Sequence, residues 1–198
     1  MAKTIDGVSF AILQGKVTAI VGASGSGKTT LIKLLLGYYN VTGGKISISG
    51  TDIADYDLKW WRRQCGVVMQ DGVIFSESIA RNIAVGDGEI DPERLVEAAR
   101  IACIKDFITD LPLKYDTQIG SDGMGLSQGQ KQRILIARAV YKNPGYIFLD
   151  EATNSLDAEN ERKIVGNLAQ FYRGRTVVVV AHRLSTVRDA DQIIVLDH

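Results

Sequence analysis

Residues Gly22–Thr30 have the composition and spacing of a loop that holds phosphate groups. Glycines at positions 22, 25 and 27 permit backbone conformations that a Cβ atom would exclude, so that successive N–H groups can point at one anion. A helix that begins at about Lys28 would add unpaired N–H groups and the positive end of its dipole. The residues predicted to bind a nucleoside triphosphate are Gly22, Ala23, Ser24, Gly25, Ser26, Gly27, Lys28, Thr29 and Thr30.

Two side chains of this loop supply the remaining chemistry. The Lys28 ammonium would reach the β- and γ-phosphates, and the Thr29 hydroxyl would bind the Mg²⁺ ion that bridges them. A glycine-rich turn between a buried strand and a helix is the structural alternative. The apolar runs Val17–Val21 and Leu31–Leu36 favour the phosphate site, because a phosphate loop needs a strand before it and a helix after it.

Two carboxylates follow the apolar run Tyr146–Leu149. At the carboxyl end of a strand, Asp150 would hold the Mg²⁺ ion, and Glu151 would take a proton from the attacking water as a general base. A strand followed by an acidic helix cap explains the same pair equally well. The phosphate loop upstream favours catalysis, since both groups would serve the same nucleotide.

Short apolar runs rich in β-branched residues predict the strands that position these groups. The runs are Val17–Val21, Ile46–Ile48, Gly66–Met69, Tyr146–Leu149, Val177–Val180 and Ile193–Leu196. Four of them are almost continuously apolar, which is typical of strands buried on both faces. The sequence therefore predicts an α/β fold in which helices cover a mainly parallel sheet.

Between residues 71 and 143 the apolar positions follow a helical period instead. Asp91 and Pro92 match the N-cap and first position of one helix, and a second helix is predicted from about Ser127 to Tyr141. We therefore predict that residues 71–143 form a helical subdomain inserted into an α/β core made of residues 1–70 and 144–198.

Composition argues against several classes of function. The 23 basic and 23 acidic residues give a formal net charge of zero, so we expect neither a nucleic-acid partner nor electrostatic attachment to a membrane surface. The apolar runs are far below the roughly 18 residues that would cross a bilayer, and no secretory signal is visible. Cys65 and Cys103 have no metal-ligand spacing and are interpreted as core residues in a reducing compartment.

Several motifs together resemble the nucleotide-binding domain of ATP-binding cassette (ABC) proteins over nearly the whole chain. Besides the phosphate loop and the strand that ends in Asp150, the matching segments are Gln70 after Val67–Met69, the signature Leu126–Arg133, the D-loop Asn154–Asp157 and the switch region Val180–Ser185. The resemblance implies an ABC ATPase fold, which is a P-loop NTPase core with an inserted α-helical subdomain. It also implies ATP and Mg²⁺ as ligands.

The resemblance assigns roles to individual residues. The predicted catalytic residues are Glu151, His182, Lys28 and Gln70. The predicted Mg²⁺ ligands are Thr29, Gln70 and Asp150. Gln70, Asp150 and His182 also belong to the predicted nucleotide-binding set, and His182 would orient Glu151 and the water. The residues predicted to act on the nucleotide of a second copy, in a head-to-tail dimer that holds two ATP molecules, are Ser127, Gly129, Gln130 and Asp157.

Two features of the signature bear on this assignment. Ser127 is also a good helix N-cap, with Gln130 as its capping-box partner, and this structural role is compatible with phosphate binding. Gln128 stands where the family usually has glycine, so its side chain must point outward if the contact is to form.

Further segments resemble ABC exporters. Phe75–Ile83 is similar to the segment that meets the coupling helices of a membrane domain, and Thr117–Gly123 is similar to the exporter X-loop. They imply a fused or associated transmembrane domain that contacts the region from Gln70 to Asn82, with the chain at the cytoplasmic face of the inner membrane. Trp60–Cys65 resembles peptide or bacteriocin exporters that carry an N-terminal peptidase, although packing of a helix on the sheet also explains the two tryptophans.

The expected function is ATP hydrolysis that powers export, of a peptide or a lipid, through that membrane domain. A separate ATPase subunit of an importer and a soluble ABC ATPase without a transport role are the alternatives. Because residues 1–16 leave no room for the family's full first strand and the chain stops at His198, we expect a domain that is truncated at both ends.

Overall fold

The computed structural model describes residues 4–86, 88–181 and 187–197. The strands are β1 (Val17–Gly22), β2 (Ser47–Ile48), β3 (Thr51–Asp52), β4 (Cys65–Val68), β5 (Glu77–Ser78), β6 (Gln118–Ile119), β7 (Tyr146–Asp150), β8 (Thr176–Val180) and β9 (Gln192–Leu196). The α-helices are α1 (Lys28–Leu35), α2 (Leu58–Gln64), α3 (Ile79–Ile83), α4 (Pro92–Ile101), α5 (Lys105–Thr109), α6 (Gln128–Tyr141) and α7 (Ala158–Phe171). Short 3₁₀ helices occur at Ile53–Asp55 and Lys114–Asp116.

These elements divide into two compact units. The first unit consists of the described parts of Met1–Val67, Pro144–Asp150 and Gly174–His198, and the second consists of those of Val68–Asn143 and Glu151–Arg173. The structure thus groups α7 with the helices of residues 71–143. The domain limits inferred from the sequence stay a prediction.

The first unit is built on a five-stranded sheet with the order β4-β7-β8-β1-β9. β8 pairs in parallel with β7 and with β1, and β1 pairs in parallel with β9. All five residues of β8 and the last four of β7 are buried. Because strands covered on both faces need continuous apolar sequence, the pattern predicted them correctly, and the prediction of a mainly parallel sheet in an α/β fold is confirmed.

The predicted strand at Ile46–Ile48 lies outside that sheet. Its last two residues form β2, which pairs antiparallel with β3 in a separate two-stranded ribbon. Ser49 and Gly50 both have positive φ values, 50° and 86°, which is the conformation of a tight hairpin turn. The turn reverses the chain at once, so this segment cannot continue into the parallel sheet.

Packing within the first unit accounts for one of the two adjacent tryptophans. The Trp61 ring meets the Tyr146 ring of β7 edge-on at 4.8 Å, and its Nε1 donates to the backbone oxygen of Leu35 at 2.9 Å. Trp60 is exposed and stacks on Tyr56. The structural explanation therefore holds for Trp61, which joins α2 to the sheet.

The second unit contains α3 to α7. α6 contacts α3 and α4, and α4 contacts α5 and α7. Asp91 caps α4 by accepting hydrogen bonds from the N–H groups of Glu93 and Arg94, at 3.0 Å each, and Pro92 takes the first position. Both helices that the sequence predicts in this region are present. Among the described residues, no helix is long and apolar enough to cross a bilayer.

The two cysteines differ in their surroundings. Cys65 is buried as predicted. Cys103 lies just after α4 with a left-handed φ of 52° and is only partly buried, so its interpretation as a core residue is wrong. The backbone oxygen of Cys103 accepts a hydrogen bond from Arg133 Nη1 at 2.9 Å, and its Sγ accepts one from Asn167 Nδ2 at 3.4 Å.

Candidate nucleotide-binding site

The phosphate loop joins the end of β1 to the start of α1. A Cβ atom at Gly22 would collide with the backbone oxygen of Leu196 and would lie 2.7 Å from Ser26 Oγ. Gly27 is the N-cap of α1 with a left-handed φ of 91°, and a Cβ atom there would lie 3.1 Å from the backbone oxygen of Thr4. Both positions therefore require glycine, because a side chain at either one would push neighbouring backbone away from the loop.

Lys28 is the first residue of α1, and only 6% of its surface is exposed. Its ammonium donates to the backbone oxygens of Gly22 at 2.9 Å and Ala23 at 2.7 Å, and to Ser26 Oγ at 3.4 Å. A buried ammonium is costly unless it is paired or hydrogen-bonded, and these three acceptors are uncharged. A polyphosphate would supply the opposite charge, so the loop and its lysine fit a nucleotide.

Asp150 ends β7 and is 1% exposed. In the sheet register it pairs with Val180 of β8, which pairs with Ile20 of β1. The carboxyl ends of β1 and β7 therefore share one edge, about 10 Å apart across β8, and α1 contacts both strands. Mg²⁺ usually takes one or two protein oxygens besides phosphate and water, and Thr29 in the first turn of α1 together with Asp150 would provide such a set.

The N-terminus of α6 carries the signature residues in the second unit. Ser127 Oγ accepts a hydrogen bond from the N–H of Gln130 at 3.2 Å, and Gln130 Oε1 accepts one from the N–H of Ser127 at 2.8 Å. This is the predicted capping box. Gln128 is exposed, as an outward-pointing side chain requires. A Cβ atom at Gly129 would lie 3.3 Å from the backbone oxygen of Ser155, so the signature and the D-loop are neighbours.

Glu151, the predicted general base, is held by a turn of its own loop. Its backbone is left-handed with a φ of 52°, a conformation that costs a side-chain-bearing residue about 1–3 kcal/mol. Its Oε2 accepts a hydrogen bond from Asn154 Nδ2 at 2.5 Å. Asn154 is not among the predicted site residues, although its place three residues after a carboxylate in a turn is a signal for such a bond.

Asp157, which the resemblance assigns to coupling between subunits, is the N-cap of α7. Its two carboxylate oxygens accept hydrogen bonds from the side-chain amide and the N–H of Asn160, at 2.6 and 2.9 Å. These bonds, chiefly the one from the amide, lower the pKa of the Asp157 carboxyl. The carboxylate is therefore ionised and engaged by its own helix, and its role toward a second copy stays a prediction.

The predicted site residues fall in both units. The first unit brings the phosphate loop and Asp150 to one sheet edge. Gln70, which is exposed after β4, lies in the second unit with Glu151 and the signature. His182 lies outside the described residues.

Comparison with known proteins decides the family. A family model described as ABC transporter matches residues 5–154, which is more than half of the chain. The chain belongs to the ABC transporter family. The match contains the phosphate loop, Gln70, the signature, Asp150 and Glu151, so the nucleotide-binding assignment of this ABC domain is supported by the family as well as by the loop geometry.

Named relatives indicate the branch of the family. The exotoxin translocation ATP-binding protein PaxB of Pasteurella aerogenes and the leukotoxin translocation ATP-binding protein LktB of Mannheimia haemolytica are each 49% identical over 193 residues. Each alignment covers 98% of this chain and 27% of the relative. A solved structure of a bacterial Atm1-family ABC exporter with ATP bound matches with a TM-score of 0.91 and 43% identity, over 96% of this chain and 33% of that one.

The predictions of family and fold are confirmed, and the chain is similar to the ATP-binding domains of translocation proteins and of an ABC exporter. Neither the importer subunit nor the soluble ATPase is favoured by these relatives. The chain spans about a quarter of the length of the curated relatives that it matches.

Proposed function

We propose that this ABC domain binds and hydrolyses ATP with Mg²⁺ and thereby drives export through a membrane domain. The observation that carries the proposal is the buried Lys28 ammonium, which lies in a glycine loop at the same sheet edge as Asp150. Its present acceptors are uncharged oxygens. A triphosphate would replace them with charge-assisted hydrogen bonds, which are about twice as strong.

Each residue of the site has a defined task in this proposal. Lys28 would contact the β- and γ-phosphates, and the N–H groups of the loop and of the first turn of α1 would donate to the phosphate oxygens. Thr29, Asp150 and Gln70 would hold Mg²⁺. The ion, when bound, would neutralise charge on the β- and γ-phosphates.

Glu151 would act as the general base. As the oxygen of the attacking water bonds to the γ-phosphorus, one water O–H bond breaks and its proton passes to the Glu151 carboxylate. The bond between the γ-phosphorus and the bridging oxygen breaks at the same time, and its electron pair leaves with ADP. By resemblance to the family, His182 would contact the γ-phosphate and keep the water in line.

A second copy of the chain would complete each site. The first N–H groups of α6 have no acceptor within the helical ladder, and they lie beside Ser127, which is exposed. A helix N-terminus of this kind suits a phosphate. Two copies arranged head to tail would hold two ATP molecules. Each would lie between the phosphate loop of one copy and Ser127, Gly129 and Gln130 of the other, with Asp157 coupling the two sites.

The proposed contact with the membrane domain is the segment from Gln70 to Asn82. Val73 and Phe75 in this segment are 61% and 44% exposed. Two large apolar side chains so close together on a surface suit burial against another domain. That contact would place the chain at the cytoplasmic face of the inner membrane.

We propose a polypeptide as the exported cargo. The relatives whose names refer to toxin translocation are 49% identical to this chain, against 43% for the Atm1-family exporter. In vesicles containing the purified full-length protein, ATP should drive transport of an unfolded polypeptide. Transport of a fluorescent lipid and not of the polypeptide would contradict this assignment of the cargo.

The hydrolytic role is tested with Glu151→Gln in the full-length protein. The variant should bind ATP as the wild type does, while turnover falls at least about a hundredfold because the proton acceptor is lost. Normal turnover in Glu151→Gln would refute the assignment of the general base. Loss of ATP binding together with turnover would instead point to a damaged site.

A further inference from the structure

One side chain of the D-loop donates a hydrogen bond to the Glu151 carboxylate. Asn154 Nδ2 donates to Oε2 of Glu151 at 2.5 Å, and the N–H of Asn154 donates to the backbone oxygen of Glu151 at 3.2 Å. The two hydrogen bonds close a single turn over residues 151–154. Because an ionised carboxylate only accepts hydrogen bonds, the amide must present its nitrogen to Oε2.

The backbone of Glu151 does not favour this turn by itself. Its φ of 52° lies in the left-handed region, which residues with a Cβ rarely adopt. Such conformations persist where surrounding contacts enforce them, and they are concentrated at functional sites. Glu151 directly follows β7. Its left-handed backbone ends the strand, and the conformation of the loop that follows determines where the carboxylate points.

The rest of the loop is anchored on both sides of Asn154. Ala152 and Leu156 are buried. Thr153 Oγ1 donates to Oε1 of Glu161 on α7 at 3.4 Å, and the backbone oxygen of Thr153 accepts a hydrogen bond from the N–H of Leu156 at 3.1 Å. The exposed Asn154 therefore lies between the buried Ala152 and Leu156, and its amide reaches Glu151 from within this turn.

We propose that Asn154 is a positioning residue that orients the Glu151 carboxylate as the general base. The inference rests on the proposed function, because it needs Glu151 to accept the proton of the attacking water. An amide suits this task, since it donates a hydrogen bond without bringing a positive charge to the base. The bond to Oε2 restricts the rotation of the carboxylate and thereby limits where Oε1 points.

The test compares Asn154→Ala and Asn154→Asp in the purified full-length protein. Alanine removes the donor, and aspartate keeps the shape but turns a carboxylate toward Glu151. We expect kcat to fall at least about tenfold in Asn154→Ala, because a base that is free to turn away from the water is misplaced for proton transfer. The fall should be larger in Asn154→Asp, and the KM for ATP should stay unchanged in both.

Asn167→Ala is the matched control for the loss of a side-chain amide. Asn167 lies in the same unit, and its Nδ2 donates to the backbone oxygen of Ile101 at 3.1 Å. This variant should lower the melting temperature and leave kcat unchanged. Equal losses of kcat in Asn154→Ala and Asn167→Ala would overturn the proposal, because they would show a general effect of destabilisation.

A second measurement asks whether Asn154 acts through Glu151. In a Glu151→Gln background, addition of Asn154→Ala should leave the residual single-turnover rate unchanged, since no base remains to be oriented. A further fall in that rate would overturn the proposal, and so would a rise of kcat in Asn154→Ala alone. Full turnover in Glu151→Gln would instead refute the proposed general base, so the two failures are distinguishable.

Discussion

Arg138 of α6 donates from Nε to the backbone oxygen of Asn82 at 2.7 Å and from Nη2 to its side-chain oxygen at 3.2 Å. Asn82 is fully buried, and its Nδ2 donates to the backbone oxygens of Phe75 and Ser78 at 2.9 and 3.1 Å. Burial lowers the pKa of Arg138 to about 10, which still leaves the guanidinium charged at neutral pH. These hydrogen bonds connect α6, the helix that begins at the signature, to the segment from Gln70 to Asn82. We propose that this segment contacts the membrane domain.

Replacement of the amide at the centre of this network should destabilise the second unit. We expect Asn82→Ala to lower the free energy of unfolding by about 3 kcal/mol, because it leaves buried backbone groups and a donor of Arg138 without partners. Urea unfolding followed by circular dichroism measures the change. Among the described residues, the Asn167 amide donates to the backbone oxygen of Ile101 and to Cys103 Sγ, and Asn167→Ala should cost about 1 kcal/mol. Similar losses in the two variants would contradict the central place of Asn82.

A methyl group at Gly22 should disturb the sheet as well as the phosphate loop. It would collide with the backbone oxygen of Leu196, with which Gly22 is in register between β1 and β9. Because a strand must shift to relieve this collision, we expect Gly22→Ala to lower the free energy of unfolding by about 2–4 kcal/mol.

Gly145→Ala is the control for the variant at Gly22. A Cβ atom at Gly145 would meet nothing within 4 Å. The variant should therefore change the free energy of unfolding by less than about 0.5 kcal/mol. If the two alanine variants were equally stable in urea unfolding, the close approach of β1 and β9 at Gly22 would be refuted.

Loss of the Lys28 ammonium should weaken the binding of ATP and not that of AMP, because the β- and γ-phosphates that the lysine would contact are absent from AMP. Lys28→Met should lower the affinity for ATP at least about tenfold, because charge-assisted hydrogen bonds are lost. Isothermal titration calorimetry with ATP and AMP measures the difference, and AMP affinity should be almost unchanged. Lys33→Met, in the last turn of the same helix, is the matched control. Equal weakening for ATP and AMP would indicate a collapsed loop and not a lost phosphate contact.

The sequence predicted those parts of the site that depend on local constraints. The spacing of the loop glycines is visible along the chain, although the atoms that exclude a Cβ atom at Gly22 and Gly27 belong to distant residues. The capping box of Ser127 and Gln130 is fixed by the end of one helix. A single sequence contains the signals for such features, because the interacting groups are at most a few residues apart. The buried strands β7 and β8 were equally clear from their continuous apolar runs.

Features that depend on distant partners were not predicted. Asn82 and Arg138 are 56 residues apart, and no pattern in one sequence signals that a buried amide at the first will meet a guanidinium at the second. The left-handed backbone of Glu151 was not predicted either, because residues with a Cβ atom rarely adopt that conformation. One local feature was also missed: the tight turn at Ser49 and Gly50 places the predicted strand before it in a separate two-stranded ribbon.

Both cysteines should react slowly with alkylating reagents while the chain is folded. Cys65 is buried, and burial raises the pKa of the Cys103 thiol. Since the thiolate is the reactive species, a raised pKa leaves less of it at neutral pH than an ordinary cysteine would have. Mass spectrometry of peptides labelled with iodoacetamide should show slow modification of each residue in the native protein and rapid modification in denaturant. The rate at Cys103 should also keep increasing with pH beyond the point where a cysteine in a short peptide levels off, and rapid native labelling of Cys103 at neutral pH would contradict its partial burial.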